Sequence, residues 1–512
     1  MLFNSYPFLL VFLPLALLGF FGAARIGARF AAAWLAFASF IFYGWWNPAY
    51  VFLLAGSILF NFTMGAWIAR TRARNASRAG TILAFAVTTN LLVLGYYKYA
   101  NFFLDNVTLV TGLHHDLSHV ILPLGISFYT FTQIAFLVDA YRGKVSEFNL
   151  VHYGLFVTYF PHLIAGPILH HAEMMPQFSA RSTYRVHAEN FAVGLCIFAI
   201  GLFKKTVLAD GIAPFVAPIF NSGSTPPALF DAWGGALAYT CQLYFDFSGY
   251  SDMAIGLSRL FGIQLPINFN SPYKATNIIE FWRRWHITLS RFLRDYVYFG
   301  LGGNRYGIVR RYTNLLATML IGGLWHGAGW TFVAWGGLHG LYLVANHAWH
   351  AVLPPNKHGR SFAGTRLAHV ATFGAVVAGW VLFRAPDFHT ATVVLSGMAG
   401  LHGVALPHAV VSRFPGLASF LSATGIRFTY GGGSEFVKMY VSLAVLLAII
   451  FFAPNTQQIM AGYRPGLGTE SLVPPRVVRW EPKLGWAIAG AIVAGFGVLS
   501  LHRVSEFLYY QF

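Results

Sequence analysis

Residues 268–305 read NFNSPYKATNIIEFWRRWHITLSRFLRDYVYFGLGGNR, and the apolar run that follows ends in LWHG at residues 324–327. The first stretch is too polar for a simple membrane span. Its Asn-Ser-Pro at 270–272 predicts the start of a helix, because Asn and Ser cap helices and Pro suits their first position. Arginines alternate with apolar residues along that helix, which is typical of an amphipathic helix at a membrane interface. His326 lies in uncharged sequence and is expected at membrane depth, where an ionisable residue indicates a functional site.

The composition of the whole chain excludes a soluble globular protein. Of its 512 residues, 56% are apolar and 10% are charged, whereas soluble domains have about 25% charged residues. A spanning helix needs roughly 20 apolar residues, so we predict an all-α, polytopic membrane protein. Its net charge of +17 fits basic residues at the cytoplasmic edge of a membrane better than nucleic-acid binding. Its two cysteines are too few for a disulfide framework or a four-cysteine zinc site.

The arginine clusters predict the orientation of the first five apolar runs. A pair of arginines follows the first run, and a larger cluster at residues 70–78 follows the third. If these clusters lie in the cytoplasm, the N-terminus faces outward. The fourth run, residues 81–97, then leads to an outer loop at 98–119, and the fifth run returns to basic residues at 142–144.

Beyond residue 150 the apolar pattern is interrupted, for example by Pro161, Gly166 and Pro167. Non-helical backbone at membrane depth is tolerated only where protein or a water-filled cavity covers it. We therefore expect broken or re-entrant helices around a central cavity. At about 20 residues per span, the chain forms one integral membrane domain with roughly eleven to thirteen membrane elements. Its parts are N-terminal spans at 1–145, a catalytic core at 146–350, and C-terminal spans and loops at 351–512.

Named motifs of several enzyme classes are absent from the sequence. It has no P-loop, no G-x-S-x-G and no H-E-x-x-H. His170, His171 and Glu173 could be drawn as metal ligands, but adjacent histidines point in different directions on a helix. An interfacial polar loop is the better interpretation, and no metal site is predicted.

Each candidate in the core also has a purely structural interpretation. A histidine such as His326 can be neutral and hydrogen-bonded between helices, and Trp325 can serve only in packing. The basic helix can bind anionic lipids through its four arginines, Arg283, Arg284, Arg291 and Arg294. Physical chemistry alone therefore leaves both an enzyme and a transporter open.

Several phrases add a resemblance to these observations. They are MLFNSYPF (Met1–Phe8), YFPHLIAGPI (Tyr159–Ile168), LYFDFSGYSDMAIG (Leu243–Gly256), and the FWRRWH, LGGNR and LWHG within the stretch quoted above. Together they resemble the membrane-bound O-acyltransferase (MBOAT) family, and within it the bacterial branch that O-acetylates polysaccharides. The similarity spans nearly the whole chain and is most specific between residues 120 and 350.

The resemblance implies two catalytic histidines: His326 in the W-H-G motif and His286 in R-R-W-H. Members outside this branch often have Asn or Asp at the position of His286. Acyl transfer to a hydroxyl or thiol needs a proton acceptor with a pKa near neutrality, which histidine offers. We predict that His326 is the general base and that His286 orients the donor or stabilises the oxyanion. His162 stands where related enzymes often carry Gln and is expected to line the site.

The resemblance also implies how the acyl donor is bound. The arginines of the basic helix would attract the phosphates of a cytosolic donor, with acetyl-CoA as the expected one. No cofactor or metal is expected to be resident in the protein. The candidate donor-binding and lining residues are Arg283, Arg284, Arg291, Arg294, Trp325, His162 and Asp246.

The implied function is an acetyl-transferring subunit of the bacterial inner membrane. It would carry acetyl groups from the cytoplasmic donor across the membrane for O-acetylation of a secreted exopolysaccharide of the alginate or cellulose type. The chain lacks a polymer-binding domain, so its expected partners are a periplasmic SGNH-hydrolase-like acetyltransferase and other exopolysaccharide-secretion proteins.

Two alternatives are carried forward from the sequence. The first is D-alanyl transfer in teichoic-acid modification, whose membrane protein shares the W-H-I and W-H-G phrases. The L-G-G-N-R segment and the long part beyond residue 400 favour the polysaccharide branch instead. The second is a proton-coupled transporter in which His326 and Asp246 form a proton relay. Transporters often show paired broken helices in two halves, and this sequence shows no such symmetry.

Overall fold

The computed structural model of the chain describes residues 1–112, 120–221, 225–353, 361–413, 416, 420–421, 423, 425–469, 472, 478–502 and 508. Residues 113–119, which belong to the predicted outer loop, lie outside this set. The described residues are mostly helical, as the predicted all-α fold requires. The chain is numbered below in helices α1–α23 and strands β1 and β2.

The N-terminal part consists of long helices that follow the predicted apolar runs. Gly27 separates the first two helices, and the side chain of Asn75 caps the fourth by accepting a hydrogen bond from the N–H of Arg78. After a π-helical turn at Phe8–Phe12, the helices are Leu13–Ile26 (α1), Ala28–Gly44 (α2), Ala49–Arg72 (α3), Ala76–Leu94 (α4), Ala100–Thr111 (α5) and Ile126–Arg142 (α6).

The central part combines short, broken helices with long ones. Its helices are Leu150–Thr158 (α7), Phe160–Leu163 (α8), His171–Ser179 (α9), Ala188–Phe203 (α10), Asp210–Ile212 (α11), Ala217–Phe220 (α12), Leu229–Leu260 (α13), Ile278–Arg284 (α14), Ile287–Phe292 (α15), Gly307–His326 (α16) and Trp330–Val352 (α17). At a rise of 1.5 Å per residue, α7 extends only about 14 Å, which is too short to cross a membrane. The predicted broken helices of this part are confirmed.

The C-terminal part returns to long apolar helices and includes one small parallel strand pair. The elements are Phe362–Arg384 (α18), Phe388–Met398 (α19), Ala405–Pro407 (β1), His408–Val411 (α20), Arg427–Thr429 (β2), Gly433–Phe452 (α21), Thr456–Ile459 (α22) and Leu484–Leu499 (α23). Helix α23 packs against α10 of the central part. The division of the chain at residues 145 and 350 stays a prediction.

The described helices confirm a multi-pass membrane protein. Seven of them are long and apolar enough to cross a membrane, and Ala28–Gly44 is a shorter apolar helix. The seven are Phe8–Ile26, Ala49–Arg72, Ala76–Thr111, Ala188–Phe220, Phe362–Arg384, Gly433–Phe452 and Leu484–His502.

Contacts between distant residues define the two ends of the helical bundle. At one end the hydroxyl of Tyr6 donates a hydrogen bond to the carbonyl of Val498, and we name this end the N-terminal face. At the other end Arg142 donates to the carbonyl of Asp295, and Arg72 lies beside the start of the loop after α6. We name this end, which carries Arg72 and Arg142, the arginine face.

Close packing between α10 and α13 holds the centre of the molecule. A Cβ added to Gly201 would lie 2.6 Å from the carbonyl oxygen of Gly249, and one added to Gly256 would lie 2.6 Å from that of Gly194. Small residues at such crossings let helix backbones approach closely in membranes. The two helices therefore form a rigid frame beside the candidate site.

Two local predictions are wrong. The outer loop does not begin at Lys98, because the helix continues through a π-helical turn, Gly95–Tyr99, into α5. A charged residue marks the end of an apolar run in the sequence, but Lys98 is buried and its amino group is hydrogen-bonded, so the helix need not stop. The helix at 270–272 is only a 3-10 turn, Pro272–Lys274, and the residue that caps α14 is Asn277.

Candidate active site

His326 is the last residue of α16 and lines a cavity of about 400 Å³. The residue is 6% exposed, and two aromatic rings contact its imidazole edge-on, Trp335 at 5.2 Å and Phe383 at 5.3 Å between centroids. Gly327 follows, and a Cβ there would lie 2.2 Å from the ring of Phe332. The W-H-G sequence thus ends a rigid helix with a histidine that faces a cavity.

The cavity beside His326, here named the histidine cavity, lies toward the N-terminal face. Trp46, in its wall, belongs to the turn between α2 and α3, and Ile121 accepts a hydrogen bond through its carbonyl from Tyr50 near the start of α3. Both positions are far from the arginines that end α3 and α6. The polar or aromatic lining residues include Trp46, Lys98, Ser127, Phe128, Trp325 and His326.

His286 is buried at the break between α14 and α15. Its φ of 42° is left-handed, a conformation that non-glycine residues rarely adopt. The Asn268 carboxamide oxygen holds the break together: it accepts hydrogen bonds from the N–H of Thr288 at 3.3 Å and from its hydroxyl at 2.7 Å. The same oxygen lies 3.4 Å from Nδ1 of His286. Backbone strain at a buried titratable residue is typical of functional sites.

The structure brings the two predicted catalytic histidines together. Their ring centroids are 6.2 Å apart, with an angle of 60° between the ring planes. Trp325 contacts both rings, at 6.2 Å from His286 and 5.0 Å from His326. Nε2 of His286 is buried and has no hydrogen-bond partner among the described residues. The catalytic roles of these residues stay a prediction, but their proximity meets its geometric requirement.

A second cavity, of about 430 Å³, lies along α16 nearer to the start of that helix. We name it the arginine cavity, because it opens near Arg294 and its neighbour Asp295, whose carbonyl binds Arg142 of the arginine face. Met319 in its wall is about 10 Å from His326 along the helix, at 1.5 Å per residue. The polar lining residues are Ser290, Arg294, Tyr298, Asn304, Arg311, Thr318 and His347.

Two tryptophan rings separate the arginine cavity from His326. Trp282 lines the arginine cavity and contacts Trp335 at 5.9 Å between centroids. Trp335 in turn contacts His326 at 5.2 Å. His326 therefore lines the histidine cavity, and these two rings lie between it and the arginine cavity.

Three of the four arginines predicted to bind the donor have carboxylate partners. Arg291 makes a bidentate pair with Glu173, at 2.6 and 2.9 Å. His170, the neighbour of this pair, lies 3.2 Å from the hydroxyl of Tyr296 through Nδ1. The Glu173 carboxylate, which the alternative metal site would have needed, is thus paired with Arg291, and this pair connects α9 to α15.

Arg284 pairs with Glu280 at 2.6 Å, and Thr276 donates a backbone hydrogen bond to the same carboxylate at 2.8 Å. Burial raises the pKa of Glu280, but the hydrogen bond from Thr276 and the charge of Arg284 outweigh it, so the pKa lies below its usual value. Arg294 pairs with the adjacent Asp295 and also lines the arginine cavity. Arg283 is exposed and does not line the arginine cavity.

Asp246 and His162 have partners of their own. The carboxylate of Asp246 lies 2.5 Å from the amino group of Lys205, which also pairs with Asp210 at 2.8 Å. His162 hydrogen-bonds through Nε2 to the carbonyl of Phe156 at 2.9 Å. Neither residue is among the described residues that line the histidine cavity. Their roles in substrate binding stay a prediction.

The sequence interpretation missed several residues around the site. Lys98 lines the histidine cavity, and Arg311 and His347 form a 2.8 Å contact in the wall of the arginine cavity. His339 is fully buried among aromatic rings, including Trp335 at 5.0 Å. Lys98 did have a signal in the sequence: it is a single lysine with apolar residues on both sides, so a helix could continue through it. Arg311 and His347 had none, because they meet only through the packing of α16 against α17.

Comparisons with known proteins identify the family of this chain. The profile of the membrane-bound O-acyltransferase family matches residues 138–370, which include both histidines. The chain is 47% identical to a peptidoglycan O-acetyltransferase of Helicobacter pylori over 80% of this chain and 81% of that protein. It is 39% identical to a probable alginate O-acetylase (AlgI) of Pseudomonas syringae pv. tomato over the full length of both.

A more distant similarity extends to a related transferase. The chain is 29% identical to a teichoic acid D-alanyltransferase of Bacillus subtilis over 54% of this chain and 72% of that protein. The identity to the two O-acetylating relatives is higher and covers more of the chain. The predicted resemblance is therefore confirmed: this chain belongs to the membrane-bound O-acyltransferase family, in its bacterial polysaccharide O-acetylation branch.

Proposed function

We propose that the chain transfers acetyl groups from acetyl-CoA at the cytoplasmic face to an acceptor at the opposite face of the inner membrane. The acetyl groups then serve the O-acetylation of a polysaccharide outside the cytoplasm. Relatives named for O-acetylation of alginate and of peptidoglycan support acetyl as the acyl group. The observation that carries the proposal is that His326 lines the histidine cavity, while the arginine cavity is separated from it by the rings of Trp282 and Trp335.

The arginine cavity is the proposed donor site. By the positive-inside rule the arginine face is cytoplasmic, so a cytosolic donor meets this cavity first. Arg294 and Arg311 in its wall supply the planar guanidinium groups that bind phosphates well. To reach His326, the acetyl thioester on its flexible arm has to pass the rings of Trp282 and Trp335.

The histidine cavity is the proposed acceptor site, with His326 as general base. The hydroxyl or thiol of the acceptor attacks the thioester carbonyl while the imidazole takes its proton, a contribution of about 10²- to 10⁴-fold in rate. As the tetrahedral intermediate collapses, the new bond to the acceptor remains, the C–S bond breaks, and the imidazolium returns its proton to the leaving thiolate. The net change is one acetyl group moved and one free CoA thiol released.

The contacts of His286 favour an orienting role over that of an oxyanion donor. Its Nδ1 faces an oxygen of Asn268, which already accepts hydrogen bonds from Thr288. A neutral imidazole that donates from Nδ1 has only an acceptor at Nε2. Nε2 therefore suits a second hydrogen-bond donor of the acceptor, which it would orient while the reacting hydroxyl or thiol gives its proton to His326.

The acceptor polymer and the partner follow from the relatives and from the chain's own composition. The chain is an integral membrane domain in its described parts, so we propose that a periplasmic SGNH-hydrolase-like protein takes the acetyl group to the polymer. Exopolysaccharides of the alginate or cellulose type are the first candidates. Peptidoglycan is the other, because of the Helicobacter relative.

The test measures ester-linked acetyl groups in exopolysaccharide and in peptidoglycan from cells that carry wild type, His326→Ala or no gene. A matched control is His389→Ala, which alters an exposed histidine in the first turn of α19. Membrane levels of all variants are equalised by immunoblot. Loss of acetyl ester from one polymer in His326→Ala, with normal polymer yield and a normal His389→Ala, supports the proposal. Full acetylation in His326→Ala contradicts the catalytic assignment, and loss of D-alanyl esters instead would point to teichoic-acid modification.

A further inference from the structure

A buried amino group lies directly behind the W-H-G motif. Lys98 is 9% exposed, and its Nζ contacts the backbone carbonyls of Trp325 and His326 and the hydroxyl of Ser127. Nζ also lies 5.8 Å from the ring centroid of Trp325. An ammonium has three protons to donate, and these three acceptors match them. The charged form of Lys98 is thus fully hydrogen-bonded without a carboxylate.

The acceptors are the carbonyls that end a helix. The last carbonyls of an α-helix have no partner within the helix, and α16 ends at His326 with an extended Gly327 after it. The hydroxyl of Tyr99 donates to the carbonyl of Leu324 at 2.8 Å. Two adjacent side chains therefore bind the carbonyls of three successive residues, 324–326. A cation at this end also interacts favourably with the helix dipole.

The local backbone explains how both side chains reach the same place. In a regular α-helix, with 3.6 residues per turn, adjacent side chains diverge by about 100°. Lys98 and Tyr99 end a π-helical turn, Gly95–Tyr99, between α4 and α5. Such π-turns change the aim of side chains and often occur at functional sites. Here the turn directs two hydrogen-bond donors at one helix end.

Burying a lysine costs free energy, and Lys98 is buried against the backbone of His326, the proposed general base. The desolvation of a buried ion costs several kcal/mol before its partners compensate for it. A neutral side chain at position 98 would avoid that cost. Lys98 also lines the histidine cavity together with His326. Its position therefore links the wall of the acceptor site to the backbone that carries the imidazole.

We propose that Lys98 is a positioning residue, whose ammonium fixes the end of α16 so that the His326 imidazole stays aligned in the histidine cavity. This inference rests on the proposed role of His326. Lys98 itself moves no proton in the reaction, because its three donors are already engaged. It acts on the rate of acetyl transfer and not on the binding of the donor, because Lys98 lines the histidine cavity and the proposed donor site is the arginine cavity.

The test compares Lys98→Met, which keeps the length but not the charge, with Lys98→Arg, which keeps charge and donors. Inverted membrane vesicles that contain the full-length protein receive labelled acetyl-CoA, and the initial rate of acetyl transfer is measured over a range of donor concentrations. A misplacement of about 1 Å costs about 100-fold in rate. We expect a loss of that order in kcat for Lys98→Met, a KM for acetyl-CoA within about twofold of wild type, and partial recovery in Lys98→Arg.

Three controls separate the possible outcomes. Tyr99→Phe removes only the bond to the Leu324 carbonyl and should cost less than Lys98→Met. If Lys98→Met does not accumulate in the membrane, Lys98→Gln, which is neutral but keeps a donor, takes its place. A wild-type kcat in the neutral variant overturns the inference, and so does a loss of kcat that Lys98→Arg does not relieve. Activity in His326→Ala would instead contradict the proposed function itself.

Discussion

The imidazole rings of His286 and His326 lie 6.2 Å apart between centroids, although one follows the break after α14 and the other ends α16. Each ring is held from its own side. Asn268 approaches His286 at Nδ1, and Trp335 and Phe383 pack edge-on against His326. Nε2 of His286 is buried and has no hydrogen-bond partner among the described residues. Both histidines can therefore act on one reacting group without direct contact with each other.

The first prediction concerns the side chain at position 286. Asn is among the residues that best tolerate the left-handed conformation that His286 adopts, and its carboxamide keeps an acceptor. Ala lacks both properties. We expect His286→Asn to retain measurable acetyl transfer and His286→Ala to lose about 100-fold or more, as measured by acetyl ester content at equal membrane levels. Equal activity of the two variants would mean that no acceptor is needed at this position.

The second prediction concerns the arginine cavity. Arg311 lines this cavity, whereas the adjacent Arg310 is exposed and does not line it among the described residues. If Arg311 binds a phosphate of acetyl-CoA, its loss removes a charge-assisted hydrogen bond of about 1.5–3 kcal/mol. We expect Arg311→Ala to raise the KM for acetyl-CoA by about tenfold or more with little change in kcat.

The matched control for this prediction is Arg310→Ala, which changes the net charge equally. Raising the salt concentration should also weaken donor binding in wild type more than in Arg311→Ala, because salt screens the lost interaction. A similar rise in KM for both variants would show a general effect of charge at the membrane surface. If the KM for acetyl-CoA rises in neither variant, Arg311 does not belong to the donor site.

The third prediction uses two glycines of the W-H-G-A-G sequence. A Cβ at Gly327 would lie 2.2 Å from the ring of Phe332, whereas one at Gly329 meets the same ring at 3.4 Å. Gly327→Ala must therefore displace either the ring or the backbone next to His326. We expect it to lower the rate of acetyl transfer by about 10- to 100-fold, with Gly329→Ala close to wild type. If Gly327→Ala has normal activity, the end of α16 need not be rigid.

The sequence predicts the parts of the site that lie within one motif. The apolar runs are separated by arginine clusters, and the W-H-G motif is continuous along the chain, so α16, His326 and the multi-pass fold could be predicted. His286 was found through the resemblance and not through periodicity, because the break at Trp285–His286 interrupts the helical pattern. Asn268, which stabilises that break, was within the quoted stretch but had no pattern of its own.

The sequence does not predict contacts that depend on packing between distant helices. Lys98 reaches α16 only because a π-helical turn re-aims its side chain, and hydropathy has no signal for such a turn. The arginines of the predicted basic helix are also less available to bind phosphates than their number indicated. Arg284, Arg291 and Arg294 each have a carboxylate partner, which a count of arginines does not show.

The last prediction concerns the stability of the frame that α10 and α13 form. The amino group of Lys205 lies between the carboxylates of Asp210 and Asp246, and all three side chains are at most 6% exposed. Lys205→Met leaves two buried carboxylates without their cation, and breaking a buried pair in this way costs about 3–5 kcal/mol. Lys438→Met is the control, since Lys438 and Glu435 are 65% and 61% exposed, and such a surface pair contributes about 0–1 kcal/mol. Thermal unfolding in detergent should show a large loss of stability for Lys205→Met and almost none for Lys438→Met.

Adding Asp246→Asn to Lys205→Met should restore part of the lost stability, because it removes one of the two buried carboxylates that lack their cation. Equal stability of the two lysine variants would show that the buried cluster does not stabilise the fold.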